Sequence, residues 1–282
     1  MKILFNLNLE KENTKQCTEQ AVSILEQAGA ECFLEYGMAS VFDDSYHYAD
    51  KEATMADFDL IVAVGGDGTI MDVGKQAALY DKPVLGINSG RLGFMAGVET
   101  DDLTPLQQLV TGDYTEQPRM LLEIVLKAKH GVVQRYIAVN DLLITKAALS
   151  SLIDVDVLCG EKLVNEYRAD SILFATPTGS TAYSLSNGGP IADPTLSYIS
   201  MSPICPHSFA SRTYLFHENT VLTVKLGDKN RNSAYLVIDG QVGAELGQND
   251  IVEITASQRK MRLISLNNKE FYEVVSKKFV VS

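Results

Sequence analysis

Basic residues are in short supply in this chain: 24 Lys and Arg stand against 36 Asp and Glu over 282 residues, a formal charge of −12. Binding to phosphate backbones or anionic bilayers draws on basic surface, so nucleic-acid and membrane partners are excluded. Any anionic ligand must then rely on local cations, backbone amides or a metal. Cysteine is sparse as well. Cys17, Cys32, Cys159 and Cys205 lie far apart, form no C-x-x-C pair and have no zinc-like spacing, which leaves reduced thiols in the core. No apolar run approaches the roughly 18 residues of a membrane span. Met1 leads straight into Lys2-Ile3-Leu4-Phe5, without the basic stretch and long apolar segment of a signal peptide. A cytoplasmic protein is expected, with no tightly bound prosthetic group.

Two familiar phosphate loops are also missing. No G-x-G-x-x-G occurs, which removes the main support for a hydride-transferring dehydrogenase. Gly68 to Lys75 comes near a Walker A motif, but five residues rather than four separate Gly68 from Gly74, and Gln76 replaces the required Ser or Thr.

What is present divides in two. Hydrophobic residues at 46% and charged residues at 21% describe an ordinary globular protein, and 282 residues exceed one hydrophobic core. The first third alternates strand and helix. Residues 1–8, 31–36 and 59–64 read as strands; Cys17, Ala21, Ile24, Leu25 and Ala28 recur at helical spacing, with Gly29 at the helix end. Thr104-Pro105 reads as an N-cap and first-turn pair. Such alternation predicts an α/β domain with a mostly parallel sheet, over residues 1–115. From about residue 118 the period changes to two, with Leu122, Ile124, Leu126 and Ala128 on one face. Short strands recur at Val221–Leu226, Ala234–Ile238 and Ile251–Ala256, so residues 116–266 are expected to form an all-β, sandwich-like domain after a linker at 112–118. The stretch Lys269–Phe279 returns to a helical pattern, a tail at 267–282 expected to pack back on the first domain.

The sharpest local signal is Gly65-Gly66-Asp67-Gly68-Thr69, between the apolar strand Leu60–Val64 and the helical run Ile70–Leu79. Glycines let the backbone approach a polyphosphate, and amides at a helix start supply donors and the positive end of the dipole. Asp67 is the informative member, because a carboxylate beside polyphosphate is repelled unless it binds a metal or takes a proton. Taken alone, the loop also fits a plain strand-to-helix turn. The second signal is Thr176-Pro177-Thr178-Gly179-Ser180-Thr181-Ala182-Tyr183-Ser184, directly after the strand Ile172–Ala175. Its hydroxyls and amides suit a base or ribose edge, and Tyr183 offers a flat face for a purine; the alternative is a Ser/Thr-rich turn with Tyr183 in the core. Asn140-Asp141 ends another strand and suits a ribose, or simply a turn. Asn88-Ser89-Gly90-Arg91-Leu92-Gly93-Phe94 adds a glycine loop at a strand's carboxyl end. Asp170 is a ligand carboxylate or a strand-end charge, and His207 a structural histidine.

Together with Gly188-Gly189-Pro190-Ile191 and Asp239-Gly240-Gln241, these segments occur in the order found in the NAD kinase family, which the chain resembles over nearly its whole length. The GGDGT loop is shared with diacylglycerol kinases and, loosely, phosphofructokinases; the TPTGSTAYS segment is specific to NAD kinases. The resemblance implies an N-terminal α/β domain, a C-terminal β-sandwich-like domain and a site in the crevice between them. It further implies transfer of a phosphoryl group from ATP or polyphosphate to the 2′-hydroxyl of NAD's adenosine ribose, with Mg²⁺ or another divalent cation on the donor. A homodimer or homotetramer is also implied.

Carried onto this sequence, the resemblance makes Asp67 the catalytic aspartate and gives the donor phosphates to Gly65, Gly66, Gly68 and Thr69. NAD is then surrounded by Asn140, Asp141, Thr178, Thr181, Ala182, Tyr183 and Ser186, with Asp170 and Phe94 near it. No metal-ligating residue is assigned. Arg91, Lys146, Arg168 and Arg212 are the cations proposed to offset the phosphates. Three positions depart from the family pattern: Ser171 where glycine is frequent, Thr213 where proline is frequent, and Asp141 where many members have glutamate. The rivals are a non-catalytic NAD(P)-binding sensor, which would not need Asp67, and a lipid or sugar kinase sharing the loop, which leaves Thr176–Ser184 unexplained.

Overall fold

The computed structural model describes residues 1–282 except 12, 91, 149–150, 209–211, 228–229, 231–232, 267–270 and 280–282. The chain forms two compact units, Met1–Pro118 with Arg259–Ser282, and Arg119–Gln258.

The first unit is built on parallel strands whose apolar runs are buried on both faces, as the strand Leu60–Gly65 illustrates with every residue buried. The order across the sheet is His47–Tyr48, Glu31–Leu34, Lys2–Leu7, Leu60–Gly65, Pro83–Asn88, every neighbouring pair being parallel. Beyond Pro83–Asn88 the edge is shared. Arg262 and Leu263 pair with Pro83 and Val84, and Val98–Glu99 with Ile87 and Asn88. Helix Thr14–Gln27 buries Cys17, Ala21, Val22 and Leu25, and helix Asp67–Ala77 buries Ile70, Met71 and Val73. The strand order reverses between Lys2–Leu7 and Leu60–Gly65, and open α/β sheets bind ligands beyond the strand ends at such a reversal. The unit's last helix, Phe271–Phe279, has no buried residue. Its Phe271 and Phe279 rings lie 6.0 and 5.9 Å from that of Phe94.

The second unit holds two antiparallel sheets. One runs Tyr214–His217, Tyr198–Ile204, Ser171–Ala175, Asp141–Lys146, Ala234–Ile238, Gln241–Leu246. The other contains Lys162–Ala169, Ile153–Cys159, Leu222–Leu226, the Ile251–Ile254 stretch of a long strand, and the Thr115–Lys127 and Val133–Ala138 pair. Inward side chains of both sheets, among them Leu122, Ile124, Val155, Ile172, Phe174 and Leu236, form one core. The expected fold class, an α/β unit with a mostly parallel sheet and an all-β sandwich-like unit, is the observed one.

Local readings need correction at three places. Thr104 is not an N-cap; it lies inside a 3₁₀ turn whose cap is Leu103, and its N–H and hydroxyl both donate to the Asp102 carboxylate. The linker region is partly strand, since Thr115 already begins the strand that continues to Lys127. Of the thiols, only Cys17 and Cys32 are buried, and burial raises them to about 11 and about 12 respectively. Cys205 is exposed at a left-handed φ of 48°. Tyr183 needs no correction: it is 45% exposed, which goes against the alternative of a core residue.

Candidate active site

In the first unit the loop follows from its neighbours. The strand Leu60–Gly65 ends, Gly66 takes an extended conformation as N-cap, and Asp67 opens the helix. A Cβ on Gly65 would lie 2.5 Å from the Thr69 hydroxyl, so this glycine lets strand and helix close up, whereas Gly66 and Gly68 face open space. The helix start therefore presents backbone to a ligand rather than to protein. Asn8, at the end of the neighbouring strand, fixes Thr69 with a 3.2 Å side-chain hydrogen bond.

Asp67 is held from the adjacent glycine loop. Its two carboxylate oxygens accept the N–H groups of Phe94 at 3.0 Å and Met95 at 3.1 Å. That approach needs Gly93, because a Cβ there would stand 2.2 Å from one carboxylate oxygen. Asn88 shapes the start of the same loop: its side chain accepts from Gly90 N–H at 3.0 Å and donates to Glu99 at 2.7 Å. Of the predicted residues, Gly65, Gly66, Asp67, Gly68, Thr69 and Phe94 thus come together; Arg91 lies outside the described residues. Lys278 Nζ lies 3.7 Å from the Asp67 carboxylate and 4.3 Å above the Phe94 ring.

The second unit has a cleft of about 320 Å³ lined by Asn140, Asp141, Leu143, Ala182, Tyr183, Val237, Asp239 and Gly240. Sheet register produces it. Asp141 pairs with Ala175, so the hydroxyl-rich segment leaves its strand beside Asn140, and Thr176 N–H donates to the Asn140 carbonyl at 2.9 Å. Thr176 itself is a buried tie, its hydroxyl donating to Val139 O at 2.6 Å and accepting from Gly179 N–H. Ser180 is likewise occupied, bridging both backbone groups of Ala192. Thr178 differs: its hydroxyl is buried and has no hydrogen-bond partner among the described residues, the condition a ligand would relieve.

Asp239, which the sequence offers only as part of the Asp-Gly-Gln motif, anchors the cleft. Asp239 and Gly240 have φ of 48° and 81°, left-handed at both positions as a tight hairpin turn requires. The turn aims the Asp239 carboxylate at three successive backbone N–H groups, those of Val139 at 3.0 Å, Asn140 at 2.8 Å and Asp141 at 3.2 Å. Four predicted residues of this unit stand apart from the cleft lining, the buried Thr178 among them. Ser186 is exposed at the end of the turn Tyr183–Ser186. Thr181 lies in the adjoining 3₁₀ turn, its hydroxyl donating to Thr178 O at 3.4 Å. Asp170 precedes the strand Ser171–Ala175 and so sits at its opposite end, in an ion pair with Lys146. Arg168 and Arg212 are exposed.

Burial, reinforced by the nearby Asp239, raises the Asp141 carboxyl from 3.8 to about 7. The folded protein therefore keeps this proton up to about pH 7, while the unfolded chain releases it near 3.8. Bound protons are thus fewer in the unfolded state across that window, and stability falls as pH rises through it, levelling above about 7. Asp141→Asn is expected to raise stability by roughly 1–3 kcal/mol at pH 8 and to have little effect near pH 4, measured by thermal unfolding across pH. A pH-independent difference would contradict this account.

A glycine turn opening a helix on an aspartate, at the reversal point of a parallel sheet, together with a cleft in a β unit lined by Asn140, Asp141, Tyr183 and Asp239, defines a nucleotide-dependent phosphotransferase. The model of the ATP-NAD kinase N-terminal domain matches residues 2–114, and that of the ATP-NAD kinase C-terminal domain residues 139–266. The chain belongs to the NAD kinase family. It is 36% identical to the NAD kinase of Syntrophotalea carbinolica over 259 residues, covering 91% of this chain and 90% of that one. To the NAD kinase of Caldanaerobacter subterraneus subsp. tengcongensis it is 32% identical over 272 residues, 96% of each chain. Two solved structures share the fold, each at 22% identity. Yeast NADH kinase complexed with NADH gives a TM-score of 0.86 over 99% of this chain and 87% of that one. An Archaeoglobus fulgidus NAD kinase in complex with ATP gives 0.72 over 97% and 96%.

Proposed function

We propose that this chain transfers the terminal phosphoryl group of ATP to the 2′-hydroxyl of NAD's adenosine ribose, giving NADP, with Asp67 as the acceptor of the hydroxyl proton. The observation that carries the reading is the setting of Asp67. Its carboxylate opens a helix between two glycines facing open space, and two backbone amides hold it in one orientation. Phosphoryl transfer passes through a loose transition state, so positioning and charge neutralisation contribute most. In the balanced step the ribose oxygen bonds to the terminal phosphorus, the bond to the bridging oxygen breaks, ADP leaves, and the hydroxyl proton passes to Asp67. Gly66 and Gly68 leave the room, and the helix start supplies the N–H groups, for the donor phosphates.

Among the described residues no three His, Cys, Asp or Glu side chains cluster as a metal cage. Mg²⁺ would come in on the donor's own phosphates, an assignment that rests on the family resemblance, and Asp67 would be the loop carboxylate to approach it. When bound, the cation offsets phosphate charge. Polyphosphate as an alternative donor and a homodimeric or homotetrameric state rest on the family resemblance, and a cytoplasmic setting belongs to the same proposal. Incubation with NAD, ATP and Mg²⁺, with NADP read by an NADP-specific dehydrogenase, tests the activity directly. Absence of NADP formation by folded protein would sink it.

The adenosine half of NAD is assigned to the cleft of the second unit. A volume near 320 Å³ lies at the small end of ligand clefts, a size suited to part of a dinucleotide. Asn140 and Asp141 face the ribose, Thr178 offers its buried hydroxyl, and Tyr183 supplies the flat face. Tyr183→Ala is expected to weaken NAD binding by roughly 1–3 kcal/mol, as for lost base-aromatic stacking, with little change in melting temperature. Tyr183→Phe keeps the ring and should remain active. Unchanged NAD affinity in the alanine variant, measured by calorimetry, would remove Tyr183 from the site.

A further inference from the structure

The charge of two phosphate-bearing substrates must be offset in a chain that is itself strongly acidic. Among the cations the sequence offers, Lys146 is held by Asp170. The cation placed beside Asp67 is a different one, Lys278, on the last turn of the C-terminal helix Phe271–Phe279. We propose that Lys278 is the catalytic-site cation of the phosphoryl transfer, delivered to Asp67 by this helix.

Four observations support the assignment. The Lys278 ammonium lies 3.7 Å from the carboxylate, longer than a hydrogen bond, so its N–H donors remain available to a second anion. It is steered there partly by the Phe94 ring face at 4.3 Å, a contact that consumes no N–H donor. Ring and carboxylate are in register because Phe94 N–H donates to Asp67 at 3.0 Å. Finally, Phe271 and Phe279 flank the same ring at 6.0 and 5.9 Å, which explains how a helix without a buried residue stays docked over the loop. An ammonium so placed would face the equatorial oxygens of the phosphoryl group in flight. It contributes charge alone, while the hydroxyl proton goes to Asp67.

The inference rests on the reading of Asp67 as proton acceptor, and the test separates the two. Lys278→Met, Lys278→Arg and Lys277→Met are assayed for NADP formation beside Asp67→Asn, with kcat and the KM for NAD determined separately. Lys278→Met is expected to lower kcat by roughly 10- to 100-fold, as for loss of one charge-stabilising donor in a partly exposed site. Its KM for NAD and melting temperature should hardly move, since the side chain supports no core. Lys278→Arg should restore most of the rate. Lys277→Met removes the same net charge from the same helix turn and should turn over like the parent. A normal rate in Lys278→Met beside an inactive Asp67→Asn would overturn the role of Lys278 and leave Asp67 standing; a fully active Asp67→Asn would overturn the underlying reading. A faster Lys278→Met would also overturn the proposal, because the helix would then be a plug over Asp67.

Discussion

Asp67→Asn is expected to lose roughly 10²- to 10⁴-fold in turnover, about 3–5 kcal/mol of barrier, while NAD affinity changes much less. The substitution keeps the side-chain volume, so Gly93 and the loop above it need not move. Two things are lost. The amide has no proton affinity comparable to a carboxylate, and it presents only one acceptor to the pair of N–H groups from Phe94 and Met95. The first loss falls on the chemical step; the second loosens the loop by one hydrogen bond, of order 1 kcal/mol. Steady-state kinetics together with NAD titration separate them, a drop in kcat at nearly constant affinity being the expected pattern. Turnover near that of the parent would move the role of base to Asp141.

Gly179→Ala should have the largest effect among changes that remove no functional group. A Cβ at this position would stand 2.1 Å from the Asn140 carbonyl oxygen and 2.6 Å from its carbon, both backbone atoms that cannot rotate away. The hydroxyl-rich turn and the Asn140-Asp141 segment must therefore separate, and the Thr176 N–H bond to Asn140 O and the Gly179 N–H bond to Thr176 are strained with them. Overpacking of this kind costs about 1–3 kcal/mol of stability. A displacement of about 1 Å in a positioning element costs on the order of 10²-fold in rate. Melting temperature and NADP formation should thus fall together, with NAD binding weakened. A variant that melts lower but binds NAD and turns over normally would show that this close approach serves packing alone.

The legible features were those carried by local pattern. The apolar run Leu60–Val64 before a glycine turn predicts a strand-to-helix loop because period and turn chemistry are short-range, and the observed Leu60–Gly65 strand and Asp67–Ala77 helix follow. The same holds for the period-two segment at Leu122, Ile124 and Leu126, which the sandwich core buries. Thr104 misled because an N-cap is decided by which side chain reaches the free amides; Asp102 does so, two residues earlier. Asp170, placed near NAD by the family resemblance alone, precedes the extended strand Ser171–Ala175, which rises about 3.3 Å per residue and separates it from the Thr176–Ser186 segment.

Chain order sufficed for the class of enzyme, since motif residues and their spacing encode the local turns that a phosphate loop and a hydroxyl-rich pocket need. Partnerships across long sequence separations were decided by tertiary structure: Asp239 with the amides of Val139 to Asp141, Gly179 against Asn140, Gly93 against Asp67, and Lys278 beside that same carboxylate. Their positions are set by sheet register and by where a helix docks. Those depend on how whole faces pack rather than on any local pattern, so a lysine 211 residues from Asp67 carries no local mark of the carboxylate it meets.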